Sequence, residues 1–139
     1  MNEIDAIAQK YADAVLAKDE QAFLSLYDPS VVIFDMWETW VYDGREAWAG
    51  MVKGWFGSLG DERVGVSFTP VFCTIDDNWA SWGAIVRYAG LDASGKELRA
   101  MDSRMTWVLR GGAGAWRIVQ EHSSAPADFK TGAVNLHRT

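Results

Sequence analysis

RVGVSFTPVFCTIDDNWASWGAIVRYAGL, residues 63–91, alternates apolar and polar side chains on either side of Asp76-Asp77-Asn78. A period of two marks a strand with one buried face, and an acidic, Asn-containing break between two such runs is hairpin chemistry. The pattern continues to the end of the chain's second half. Strands are predicted over 63–75, 79–91, 97–110 and 116–124, with further breaks at Asp92-Ala93-Ser94-Gly95 and Gly111-Gly112-Ala113-Gly114. Consecutive strands joined by short turns form an antiparallel meander. Pro70 cannot donate to a ladder, which places it on an edge or at a bulge.

Upstream of residue 63 the period is helical. Ile4, Ile7, Ala8, Tyr11 and Val15 form one apolar stripe over 3–18. A short helix over 20–27 follows Asp19 as N-cap, turns Phe23, Leu24 and Tyr27 inward, and ends at Asp28-Pro29-Ser30. Residues 31–36 and 39–42 read as a strand pair. Asp43-Gly44-Arg45-Glu46 reads as a capping box opening a third helix, with Ala47, Trp48, Met51, Val52, Trp55 and Leu59 at helical spacing. Helices first and a long antiparallel sheet after them give an α+β domain. Long strands curl, so a cone-shaped sheet wrapped on three N-terminal-half helices, with an internal pocket, is expected over 1–126. Residues 127–139 read as an unpatterned tail that lies on the surface or frays.

Composition excludes several function classes. Charges of 13 Lys and Arg against 19 Asp and Glu leave −6, which disfavours nucleic acid and anionic membranes as partners. One cysteine, Cys73, permits no internal disulfide, and two histidines with no ligand spacing give no reason to expect a metal. The opening MNEIDAIAQKYADAV lacks the basic and apolar regions of a signal peptide, and no run is long enough to span a bilayer. A soluble cytoplasmic protein is the expectation. Eight Trp, six Phe and four Tyr suit an aromatic-walled pocket for a hydrophobic small molecule, as well as an ordinary core.

The site candidates follow from placement. In VVIFDMWETW, residues 31–40, Asp35 stands where a buried strand would take another apolar residue. A carboxylate there is costly unless it is used or paired, so it is either a base or one half of an ion pair with Arg104 or Arg87. On strand 97–110, Met101, Ser103, Met105, Trp107 and Leu109 share one face, and Asp102, Arg104, Thr106 and Val108 the other. Two arrangements are open. In one the polar row is solvated and the apolar row is core. In the other the polar row lines a pocket and the Met/Trp row meets a second subunit. On 116–124, Trp116, Ile118, Gln120, His122 and Ser124 share a face, opposite Arg117, Val119, Glu121 and Ser123.

The order of elements, DGREAW at 43–48 and WRIVQEHSSAP at 116–126 resemble the nuclear-transport-factor-2-like superfamily over about residues 3–126. That superfamily includes ketosteroid isomerases and SnoaL-like polyketide cyclases. Tyr11, Leu26-Tyr27, Asp35 and Gly44-Arg45-Glu46-Ala47 keep the separations found in ketosteroid isomerases. The resemblance implies Asp35 as general base and Tyr11 as oxyanion donor. Those isomerases complete the oxyanion hole with a protonated Asp. Counted from the glycine turn at 112–114, that position holds Thr106, with Asp102 four residues earlier, so the protonated donor is missing or displaced. The expected function is acid/base proton transfer on a hydrophobic carbonyl compound, as in an isomerase or cyclase, without a cofactor. Asp35 would take the proton, Tyr11 and Arg104 would hold the oxyanion, and His122 would assist. Trp37, Trp40, Trp48, Trp55, Asp102, Thr106 and Trp116 would contact substrate. Two alternatives stand beside it: a non-catalytic ligand-binding or dimeric assembly module, and a hydrolase or dehydratase using Asp102, Arg104 and Asp35. A homodimer through the outer sheet face is expected.

Overall fold

The computed structural model describes residues 2–112 and 115–139. Helix α1 (Glu3–Ala17) buries the predicted stripe. Ile4, Ile7, Ala8, Tyr11 and Val15 are all at most 7% exposed. Asn2 caps it, accepting from the Asp5 N–H while the Asp5 carboxylate accepts from Asn2 N. Helix α2 (Glu20–Leu24) is capped by Asp19 but is shorter than predicted. The chain turns at Ser25-Leu26 and Tyr27 already begins a strand, so Tyr27 is buried from a sheet rather than from a helix.

Strand β1 (Tyr27–Phe34) pairs with β2, which is only Tyr42–Asp43. The predicted strand pair is therefore shorter, and 35–41 is a loop. Glu38 takes the left-handed conformation there (φ 62°) and the Thr39 N–H closes back onto the Trp37 carbonyl, which is incompatible with a ladder. The capping box at Asp43–Glu46 does not form. Gly44, at φ 97°, is the cap of α3 (Arg45–Ser58), and its N–H donates to Val31 O at 2.7 Å. A non-glycine residue would be strained in that turn. Trp48, Val52 and Phe56 form the buried face of α3.

The meander is present as predicted: β3 (Arg63–Ile75), β4 (Trp79–Leu91), β5 (Glu97–Arg110) and β6 (Arg117–Ser124). Ala113 and Gly114 of the last predicted turn lie outside the described residues. Strand order is β2-β1-β6-β5-β4-β3, antiparallel except for the parallel β1–β6 pair. The sheet is six-stranded, curved and unclosed. Pro70 lies on the edge strand β3 beside a register shift. The inner face carries stacked Trp82 and Trp107, whose centroids are 4.4 Å apart, and packs on the helices through Tyr11 of α1 against Trp107, Phe23 of α2 against Tyr27 and Trp48 of α3 against Tyr27. Among the described residues no helix is long and apolar enough to cross a membrane.

The tail does not fray. Beyond Ser124, where β6 stops pairing with β5, Leu136 O accepts from Asp102 N at 2.7 Å, and Asp102 Oδ2 accepts from Arg138 N at 2.8 Å. The tail thus occupies β5 backbone and side-chain positions that β6 leaves open.

Candidate functional site

A cavity of about 700 Å³ opens between the inner sheet face, α1, α3 and the 35–41 loop. Its walls are mainly apolar and aromatic, including Trp37, Trp48, Trp55, Met51, Met101 and Met105. One group of polar side chains, Asp35, Ser123, Glu121, Tyr11 and Tyr88, is linked by hydrogen bonds and charge interactions, and Glu38, Glu62, Arg63 and Arg99 also border the cavity.

Strand parity decides which β5 row reaches it. Ser103, Met105, Trp107 and Leu109 are at most 4% exposed, whereas Arg104 and Thr106 are exposed. The apolar row faces inward, so it forms no subunit interface, and the polar row is on the outer face. Arg104 therefore does not reach the cavity. Its Nε donates to Ser124 Oγ at 3.0 Å across that outer face. Asp102 and Thr106 point the same way, and neither borders the cavity.

On β6 the parity breaks. Leu109 pairs with Ile118 but Val108 pairs with Gln120, so β6 carries one extra residue opposite a single step of β5. Such a bulge reverses which side chains face in. Ile118 is inward before it, and Glu121 (1% exposed) and Ser123 (7%) are inward after it. His122 is turned outward, edge-on to Phe34 with centroids 5.4 Å apart. Trp40 is 91% exposed in the 35–41 loop, and Trp116 is buried in the core without bordering the cavity. Of the predicted residues the cavity brings together Asp35, Tyr11, Trp37, Trp48 and Trp55. Arg104, His122, Trp40, Asp102, Thr106 and Trp116 lie elsewhere.

Glu121, Tyr88 and Ser123 border the cavity without having been among the predicted site residues, and Tyr27 bears on it through its hydrogen bond to Glu121. Glu121 Oε1 accepts from Tyr27 Oη at 2.6 Å and from Trp107 Nε1 at 2.9 Å. Burial pushes this carboxyl up to about 7 against the pull of those two bonds, and the charge on Asp35 adds to the rise. Asp35 is likewise raised by burial. The hydroxyl of Ser123 donates to its Oδ1 at 3.1 Å and pulls the other way, as do the backbone N–H groups of Trp37 and Met36. Ser123 Oγ is itself fixed by the Met36 N–H at 2.9 Å.

Tyr11 and Tyr88 share a hydrogen bond of 2.8 Å. Burial, and then the phenol and carboxylate groups around it, hold Tyr11 well above the usual phenol range. Burial does the same for Tyr88. Both are neutral near pH 7. Two phenols sharing one hydrogen bond leave one hydroxyl hydrogen for a ligand, polarised by its neighbour. The buried Trp48 indole N–H makes no hydrogen bond of ordinary geometry, although it sits near enough to Tyr27 to favour its ionised form slightly. The site can thus offer a carboxylate base, a carboxylic acid and a phenol donor within one mainly apolar volume.

Residues 4–128 match the family model of the SnoaL-like domain. No curated protein matches the chain in sequence. Among solved structures, an NTF2-like protein of unknown function from Pseudomonas putida KT2440 superposes with a TM-score of 0.79 at 21% identity, covering 99% of this chain and 94% of that one. A ketosteroid isomerase-like protein from Erwinia carotovora atroseptica SCRI1043 gives 0.68 at 18%, covering 89% and 97%. An NTF2-like superfamily protein from Salmonella enterica serovar Typhimurium LT2 gives 0.69 at 17%, covering 94% and 93%. At these identities the likeness is one of fold.

Proposed function

The chain belongs to the SnoaL-like domain family, and from that premise we propose that it is a cofactor-independent enzyme moving protons on a hydrophobic carbonyl compound, as an isomerase or polyketide cyclase does. The observation that carries this reading is the shared cavity. Asp35, the Tyr11–Tyr88 pair and Glu121 border one volume whose other walls are mainly apolar and aromatic.

Asp35 takes a proton from carbon next to the carbonyl. Burial raises its basicity towards the range useful near neutral pH, and Ser123 keeps it oriented. The carbonyl oxygen gains charge as the proton leaves. The free phenol hydrogen of the tyrosine pair meets it, and so does protonated Glu121 through the oxygen that Tyr27 and Trp107 leave open. Glu121 supplies from β6 the acidic donor that the resemblance placed at Thr106 on β5. Two carboxyl groups whose environments separate their proton affinities take opposite roles. The hydrolase alternative required Asp102 and Arg104 beside Asp35, and both are outside the cavity. A homodimer through the outer sheet face, now bearing Arg104, Thr106, His122 and Phe34, belongs to the same proposal. A monomer in sedimentation at micromolar concentration removes it.

The test follows deuterium exchange at the acidic carbon of a bicyclic enone by NMR. Asp35→Asn should slow exchange by about 10²–10⁴-fold, the usual contribution of a positioned base. Equal rates eliminate Asp35 as base. Binding without exchange in the wild type favours a non-catalytic ligand carrier.

A further inference from the structure

Arg99 carries an inference about the ligand, which rests on the cavity being the ligand site. It opens the inward row of β5, Arg99, Met101, Ser103, Met105, all bordering the cavity. Its guanidinium lies across Gly90 of β4. A Cβ at that glycine would sit 3.4 Å from Arg99 Cζ and 3.6 Å from Nε, ordinary van der Waals contact, so the guanidinium packs directly over this stretch of β4. Arg99 Nη2 donates to both Glu62 oxygens, at 2.9 and 3.1 Å, and among the described residues Nε and Nη1 have no hydrogen-bond partner. Arg63 borders the same mouth and donates through Nη1 to Leu16 O at 2.8 Å. Lys18 Nζ is close behind, donating to Gly60 O at 2.7 Å and Glu62 O at 3.1 Å. Arg99 on the Glu62 carboxylate, Lys18 on its backbone carbonyl and Arg63 next to it in sequence thus group three cations around Glu62, in a chain whose net charge is −6.

This cluster is remote from the acids. Met105 pairs with Ser123, which holds Asp35, and six residues of extended strand separate it from Arg99, about 20 Å between Cα atoms. The cavity is therefore acidic at one end, basic at its mouth and apolar between. We propose that it takes an elongated apolar carboxylate, with the anionic group at Arg99 and Arg63 and the reacting carbonyl at Asp35. The Arg99–Glu62 pair is solvent-exposed and contributes little to stability, so exchanging Glu62 for a ligand carboxylate is cheap. A guanidinium with two unused donors matches a carboxylate as a two-bond fork.

Binding alone tests this, without turnover. Tryptophan fluorescence is titrated with 4-(1-pyrenyl)butyrate and with neutral 4-(1-pyrenyl)butan-1-ol at pH 8 and low salt. The acid should bind about tenfold tighter or more, as expected for charged hydrogen bonds. Arg99→Gln should bring the two within about twofold, and Arg99→Lys should restore part of the preference, since it keeps the charge but not the fork. Asp35→Asn should leave the preference intact. Equal affinities in the wild type, or a preference that survives both Arg99→Gln and Arg63→Gln, overturn the inference and leave the proposed chemistry standing. If neither probe binds, the ligand-site reading falls, and this inference with it.

Discussion

Replacing Glu121 by Gln tests whether the buried acid is what the geometry makes it. In the folded chain burial holds the Glu121 carboxyl at about 7, against an ordinary value of 4.5. The folded state therefore binds this proton more tightly than the unfolded state. The resulting stability is fully present below pH 4.5 and is lost as pH rises through 7. The span of 7 − 4.5 is 2.5, which at about 1.4 kcal/mol per unit amounts to about 3 kcal/mol. Gln keeps the shape and an acceptor oxygen for Tyr27 and Trp107 but carries no charge at any pH. Relative to wild type, Glu121→Gln should gain about 3 kcal/mol between pH 4.5 and pH 8, on the order of 10 °C in Tm for a chain of this size. The assay is thermal and urea unfolding of both proteins across that interval. The Asp35 titration runs in the same direction, and its direct contribution cancels in the comparison. Parallel curves would mean that folding does not change the proton affinity of Glu121, against its burial beside Tyr27 and Trp107. A gap opening with the opposite sign would mean that the folded state prefers the carboxylate. On the proposed chemistry the same proton would set the basic limb of the pH profile, with activity expected to fall above about 7. Asp35 and Glu121 interact, so the apparent values belong to the pair.

The outer-face assignment predicts that Arg104→Ala and His122→Ala leave exchange of the bicyclic enone within about threefold of wild type; since a positioned acid/base group contributes about 10²-fold or more, a loss of that size from either would contradict the strand parity. At Gly111, φ is 150° and an added Cβ would run into the carbonyl of Ala115, so Gly111→Ala should destabilise by about 1–3 kcal/mol in urea unfolding, and an unchanged midpoint would contradict that backbone path.

Most of the fold was legible because hydrophobic period is a local property. The 63–91 alternation, the stripe on α1 and the turns of Asp, Asn and Gly are each set by residues close together in sequence, and the elements appear where those signals put them. Local signals failed where a distant partner decided. The chain after Trp37 has the composition of a strand, yet it turns at Glu38 into a loop whose Met36, Trp37 and Glu38 border the cavity while Trp40 is exposed. Asp43 and Glu46 have capping-box spacing, but Gly44 is drawn onto Val31 across the β1–β2 pair and takes the cap itself.

The site divides along the same line. Asp35 could be picked out because it is a carboxylate within an apolar pattern, an anomaly visible residue by residue, and Tyr11 entered through the resemblance in spacing. Glu121 could not. Its facing depends on one extra residue in β6, whose existence is defined only by pairing with β5. A period-two count that ignores the bulge sends Glu121 outward and His122 inward, the reverse of what the sheet does. Which β5 row is inside was also undecidable from parity, since alternation gives two faces and no sign. Local patterning is enough to set the elements, their order and an anomalous acid. Long-range pairing, which puts one face of β5 inside and shifts the register of β6, sets which side chains stand beside that acid.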